Sequence, residues 1–123
     1  MRKELDEKLV KDFPLLYKDR YADMRSTCMC WGFDCGDGWE PLIRSLSEKL
    51  EPLIQKLIDE NKEKYPKIIE DHPRASQVKE KFGTLRFYMM TSTDEMEDII
   101  GEYERMSENI CEFCGASGHE TNH

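Results

Sequence analysis

Trp39, Leu42, Ile43, Leu46, Leu50, Leu53, Ile54, Leu57 and Ile58 follow one another at steps of three and four. That spacing draws one continuous apolar stripe along a helix. Such a helix has to bury its stripe, so the rest of the chain must supply a layer that packs against it. CGDGWEPL, residues 35–42, marks its start, with two glycines for a turn, Asp37 as a capping side chain and Pro41 where a first helical turn tolerates it. Pro52 interrupts the stripe and lacks a backbone donor. This predicts either a kink or two abutting helices with Pro52 in the first turn of the second.

The partners for this helix can be read on both sides of it. Leu5, Leu9, Val10 and Phe13 lie at helical spacing in residues 3–13, and Pro14 ends that segment. In STCMCWGF, residues 26–33, Met29, Trp31 and Phe33 alternate with Cys28, Cys30 and Gly32, which fits a short strand or an extended loop. Pro66 and Pro73 bracket Ile68 and Ile69, where a brief strand is expected. SQVKEKF, a turn at Lys81 to Gly83, and TLRFYMM read as a β-hairpin with Leu85, Phe87 and Met89 on one face and Thr84, Arg86, Tyr88 and Met90 on the other. STDE at 92–95 matches a capping box, with Ser92 as the cap and Glu95 reaching back. The helix that follows has Met96, Ile99, Ile100, Tyr103, Met106 and Ile110 as its apolar stripe. The expected fold is therefore α+β. A small antiparallel sheet, the hairpin at about residues 76–90 plus short strands, packs against two or three amphipathic helices within one domain, residues 1–110. Residues 111–123 form a zinc-binding, knuckle-like tail on or near it.

No stretch approaches the ~18 apolar residues that span a bilayer, and MRKELDEKLV lacks the apolar core of a secretory signal, so no membrane is expected and the location reads as cytoplasmic. Five cysteines, an odd number with one Cys-x-x-Cys pair, favour thiols or metal ligands over a disulfide framework in such a compartment. The formal net charge of −8 is unevenly placed. Residues 1–90 balance basic against acidic side chains, whereas residues 91–123 hold Arg105 alone against nine carboxylates. Asp94, Glu97, Asp98, Glu102, Glu104 and Glu108 occupy the polar faces of the last helix, a surface that repels phosphate and attracts a basic protein.

Cys111, Cys114, His119 and His123 are spaced Cys-x2-Cys-x4-His-x3-His, and thiolate and imidazole are the ligands zinc prefers. Gly115 and Gly118 suit the tight turns that such a site needs. These residues resemble the zinc knuckle of retroviral nucleocapsid type, which Cys111, Cys114, Gly115, Gly118 and His119 match. His123 departs from it by position and by residue type, leaving water, Cys35 or a partner's side chain as other candidates for the fourth ligand. Phe113 could stack on a base, but residues 106–123 contain no Lys or Arg, which argues against nucleic acid at this tail. Cys28, Cys30 and Cys35 read first as small packing residues beside Trp31 and Trp39, and second as metal ligands with Asp34 or Asp37. Lys79 and Arg86 on the hairpin read as a solvated face before a ligand groove.

Three blocks in order, CMCWGFDCGDGWEPLI, QVKEKFGTLRFYM and ICEFCG, resemble a family of small uncharacterised proteins of tailed bacteriophages and prophages. Members commonly continue past the Cys-x-x-Cys into an arm with a second ligand pair, for which His119 and His123 are the substitutes here. The resemblance implies a phage or mobile-element origin and no established reaction. The chain has no Gly-rich phosphate loop, GxSxG or HExxH, and spacing does not force Cys35 towards Asp37 or His72. The expectation is a non-enzymatic accessory protein that binds a host protein with a basic surface, such as a defence or nucleic-acid-processing factor, through the acidic helix. The alternatives are a nucleic-acid-binding zinc module and a subunit of a phage complex.

Overall fold

A computed structural model describes residues 1–22 and 28–115. Four α-helices, α1 (Lys3–Asp12), α2 (Glu40–Asn61), α3 (Ile68–Asp71) and α4 (Asp94–Ser107), surround a sheet of β1 (Phe33–Asp34), β2 (Ala75–Lys81) and β3 (Thr84–Met89). The strand order is β1-β2-β3. The β2–β3 pair is the expected antiparallel hairpin, but β1 joins β2 in parallel, with Phe33 opposite Val78, so the sheet is mixed.

The long stripe folds as its spacing requires. Leu42, Ile43, Leu46, Leu50, Ile54 and Ile58 are buried on α2, with Trp39 just ahead of it. They meet Val78, Leu85 and Phe87 from the hairpin and Met96, Ile100 and Tyr103 from α4 in one core. Pro52 does not divide α2, which runs unbroken through it. Pro52 and Glu48 are both exposed, so the Glu48 carbonyl that loses its helical partner faces water, where a missing donor costs least. Asp37 does not cap α2 either. Its carboxylate receives the Arg2 backbone N–H at 2.7 Å and pairs with Arg2 Nε at 2.8 Å.

The hairpin closes on two residues, Phe82 and Gly83, with φ of 54° and 81°. Two positive φ values are the mark of a type I′ turn, whose twist matches that of the strands. Glu80 accepts the Gly83 N–H at 2.7 Å and Thr84 Oγ1 donates to the Lys81 carbonyl at 2.9 Å, which ties the turn from both strands. The outward N–H groups of β3 do not hang free. Leu85 donates to Ser107 Oγ at 2.8 Å and Phe87 to Glu104 Oε2 at 2.9 Å, so side chains of α4 close the strand edge that would otherwise pair with another chain.

Three further expectations give way. Within the described part of residues 26–33, Cys28–Trp31 coil into a 3-10 turn and extended structure is limited to β1. A buried carboxylate drives this. Asp6 on α1 pairs with Arg20 Nε at 2.8 Å, Arg20 donates to the Cys30 carbonyl at 2.9 Å, and Gly32, at φ 80°, approaches Asp6 so closely that a Cβ would lie 2.5 Å from Oδ2. Ile68 and Ile69 form the single turn of α3 instead of a strand, Ile68 facing the core and Ile69 the solvent. The cap of α4 is Thr93, whose hydroxyl accepts the Met96 N–H at 3.2 Å, while Ser92 donates to Glu97. The cap is displaced by one residue because Thr93 holds the extended φ/ψ that a cap requires, and Met96 at the third helical position cannot close a box.

His72 enters the core between α3 and β2, 1% exposed, with Nδ1 at 2.8 Å from the Pro73 carbonyl. Burial lowers its pKa, opposed by the Pro73 carbonyl, reinforced by the positive charges of Lys18 and Arg74, and opposed by Glu51. The folded state therefore binds the imidazole proton less readily than the unfolded chain. The stabilising contribution is fully present above the ordinary histidine pKa of about 6.5 and is lost as pH falls through the lower folded value. Urea midpoints are expected to fall from pH 7.5 to pH 5, and His72→Gln is expected to flatten that dependence. An unchanged slope in the variant would assign it to another group.

Candidate functional site

Beyond α4 the chain turns into Cys111-Glu-Phe-Cys114-Gly115. Cys111 is buried and Cys114 exposed. The Gly115 N–H returns to the Cys111 carbonyl at 2.8 Å, and Gly115 adopts φ 79°, the left-handed conformation that glycine reaches without a steric penalty. Burial acts on the Cys111 thiol most strongly and upward. Backbone hydrogen bonds from Cys114, Phe113 and Gly115, together with the Cys114 thiol, outweigh it, so the net shift is downward. Amides aimed at one sulfur favour its thiolate, the form that ligates zinc and other metals.

The seat for this turn is the loop between β1 and α2. Gly38 N–H donates to the Glu112 carbonyl at 2.6 Å and Gly36 N–H to the Glu112 carboxylate at 3.0 Å. Trp39, 1% exposed, donates its indole N–H to the Ile110 carbonyl at 2.8 Å. A Cβ on Gly36 would lie 2.3 Å from the Glu112 oxygen, and one on Gly38 would lie 2.4 Å from the Cys111 oxygen and 2.5 Å from the Gly115 nitrogen. Both glycines are thus required for backbone to lie on backbone. Sequence reasoning read them as turn residues only. The signal was two glycines beside a tryptophan whose indole N–H, once buried, needs an acceptor.

Among the described residues, no group of three or more His, Cys, Asp and Glu side chains is arranged to hold a metal ion. A structural zinc site takes four ligands, and Cys111 and Cys114 are two side chains of the right type in a turn that suits thiolates. His119 and His123, the other expected ligands, lie outside the described residues. Cys35 does not complete the pair. It is buried, and burial pushes its thiol up to about 12, with the N-terminal amine acting the other way and Glu112, Asp34 and Asp37 adding to the rise. Cys30 is a half-buried free thiol, and the Cys28 side chain lies outside the description.

Asp94, Glu97, Asp98, Glu102 and Glu108 are all exposed on α4, as is Glu95. Glu104 differs from the rest of the expected acidic set. It is half-buried and holds the Phe87 N–H, so part of its function is structural. Among the described residues, no ion pair involves a carboxylate of α4, while seven form elsewhere. Asp94, Glu95 and Glu97 also sit in the first turn, where the helix dipole favours negative charge. Beside the cysteine turn lies a groove of about 680 Å³, lined by Leu5, Leu42, Met106, Ile110 and Phe113 and bordered by the Arg2–Asp37 pair. Met106 and Phe113 are 41% and 64% exposed there, so the C-terminal end of the apolar stripe of α4 is not fully covered. No helix of the described residues is long and apolar enough to cross a membrane.

Comparison with models of protein families, with curated proteins and with solved structures found no match.

Gly38→Ala is expected to lower stability by roughly 1–3 kcal/mol, because the atom it meets is backbone on two sides. Thermal melts would show this, and an unchanged melting temperature would contradict the close approach. Thiol alkylation of the native, metal-stripped protein at pH 8 is expected to modify Cys114 well before Cys35, as peptide mapping would reveal.

Proposed function

We propose that the chain is a non-enzymatic accessory protein of a tailed phage or prophage that binds a basic surface of a host protein through the outer face of α4. The observation that carries the reading is the run of exposed carboxylates on α4, without ion-pair partners among the described residues, on a chain that pairs acids elsewhere. An unpaired field of one sign steers an oppositely charged partner and selects against phosphate. The order of the three sequence blocks supports the phage origin. Glu104 belongs to the fold as much as to the surface, which leaves Asp94, Glu97, Asp98, Glu102 and Glu108 as the recognition set.

In the same reading, Cys111 and Cys114 with His119 and His123 hold one zinc ion, which staples the end of the acidic helix against the Gly36–Gly38 loop. Zinc fixes the tail here and takes no part in a reaction.

Affinity capture from host lysate with wild-type protein is expected to recover a protein that Glu97→Gln, Asp98→Asn and Glu102→Gln together release, as does ~0.5 M salt. Capture insensitive to both would rule out the acidic face. Protein purified without added zinc is expected to carry close to one equivalent by elemental analysis, lost in Cys114→Ser. A folded, metal-free wild type would remove the zinc staple and leave the acidic-face reading intact.

A further inference from the structure

The hairpin face turned away from the core carries three cations, in contrast to the acids of α4. Leu85, Phe87 and Val78 turn inward, so Lys79, Lys81, Arg86, Thr84 and Tyr88 share the opposite face. Lys79 lies directly across from Arg86. Like charges at opposed positions destabilise a strand pair. Asp34 of β1 lies across from Lys79 on its other side and Glu104 and Glu108 border a cleft with Arg86, yet among the described residues no carboxylate forms an ion pair with either cation. Glu80, the one acid of the hairpin, is turned to the Gly83 N–H. Arg86 Nε is buried without a hydrogen-bond partner.

The aromatic residues are placed with the charges. Tyr88 is 42% exposed, with Lys79 Nζ 6.0 Å from its ring centroid, and Phe82 is 87% exposed, with Lys81 Nζ 5.7 Å from its ring. Phe82 also occupies a left-handed position, φ 54°, that I′ turns ordinarily give to Asn, Asp or Gly. A bulky side chain there costs stability and gains no burial, and strain of this kind collects at functional positions.

We propose that this face is a platform for single-stranded nucleic acid, on which bases stack against Phe82 and Tyr88 while Lys79, Lys81 and Arg86 neutralise the adjoining phosphates. Exposed rings with cations beside them suit a polymer that carries flat faces and negative charge together, which an acidic peptide does not. A duplex hides its base faces within the stack, so a single strand is the better fit. The site is separate from the cysteine turn and meets α4 only at Arg86, in the cleft with Glu104 and Glu108, and it does not depend on the function proposed for either. Three cations on a chain of net charge −8 imply weak, sequence-independent binding, in the range of about 10⁻⁴–10⁻⁶ M.

The test is fluorescence anisotropy of a labelled fifteen-residue oligothymidylate with the full chain at low salt. Binding is expected to weaken with salt at a logarithmic slope near about −2, and Lys79→Gln with Lys81→Gln to reduce that slope by about 1.4. Phe82→Asn is expected to weaken binding by roughly 10-fold. The same variant should raise the melting temperature by a few degrees, about 2–6 °C, since Asn suits the turn. That rise separates loss of a contact from loss of fold. Three results would overturn the platform: no binding at ~20 mM salt, a duplex of equal length bound as tightly, or polyglutamate or anionic lipid vesicles bound better than the oligonucleotide. Full affinity retained in Phe82→Asn would also overturn it.

Discussion

The contact between the Gly36–Asp37–Gly38 loop and the Cys111–Gly115 turn joins both ends of the fold. On one side the chain enters α2 directly through Trp39, whose ring lies in the core and whose N–H fixes the Ile110 carbonyl. On the other it has just left α4, which packs on α2 and on β3. The start of one core helix is thus clamped to the end of the other by two glycine N–H groups, Gly38 on the Glu112 carbonyl at 2.6 Å and Gly36 on the Glu112 carboxylate at 3.0 Å, in an approach that only glycine permits. The clamp also positions Cys111, because the amides aimed at its sulfur belong to a turn held in place from outside. Stability and ligand geometry here have the same cause.

Much of this was legible from periodicity, and what was not shares a physical origin. The stripe of α2, the face of β3 and the length of α1 follow from which residues must be buried, and local spacing records that directly. The Cys28–Trp31 coil follows instead from Asp6 and Arg20, outside the segment, whose pair needs a backbone acceptor at Cys30 and a backbone donor at Phe33. Alternation within CMCWGF contains no trace of that demand. The parallel pairing of β1 with β2 is likewise a long-range choice. In the candidate site, the cysteine pair was visible because metal-ligand spacing is local. The glycine seat was visible only as a turn, because close approach involves a partner more than seventy residues away, about which a single segment says nothing.

Helix α4 shows why a residue set read from charge alone divides once the fold is known. Its inner stripe packs, its outer carboxylates meet water, and Glu104 stands between the two, accepting a strand N–H that would otherwise be an unpaired donor. Ser107 does the same one turn later for Leu85, fully buried although it interrupts no apolar pattern. These two residues close the edge of the sheet, so association through β3 is blocked at two of its donors. In the proposals above, recognition therefore falls to side chains: the acids of α4 and the cations of the hairpin.

Those two fields adjoin at one cleft, where Arg86 of the hairpin lies with Glu104 and Glu108 at the end of α4. Opposite charges close together would pair, as Arg74 and Asp19 do at 2.7 Å, and neutralise each other. Among the described residues, however, Lys79, Lys81 and Arg86 form no ion pair, and neither do the outer acids of α4. A fold selected for stability alone would gain from Asn at position 82 and from an acid opposite Lys79. The chain has an acid, Asp34 of β1, on only one side of Lys79, with Arg86 on the other, and it holds an aromatic ring in the left-handed turn beside Lys81. Local rules are broken together at one place, while the capping, edge closure and core packing around that place obey them. A concentration of that kind indicates that the hairpin tip is shaped by something it binds.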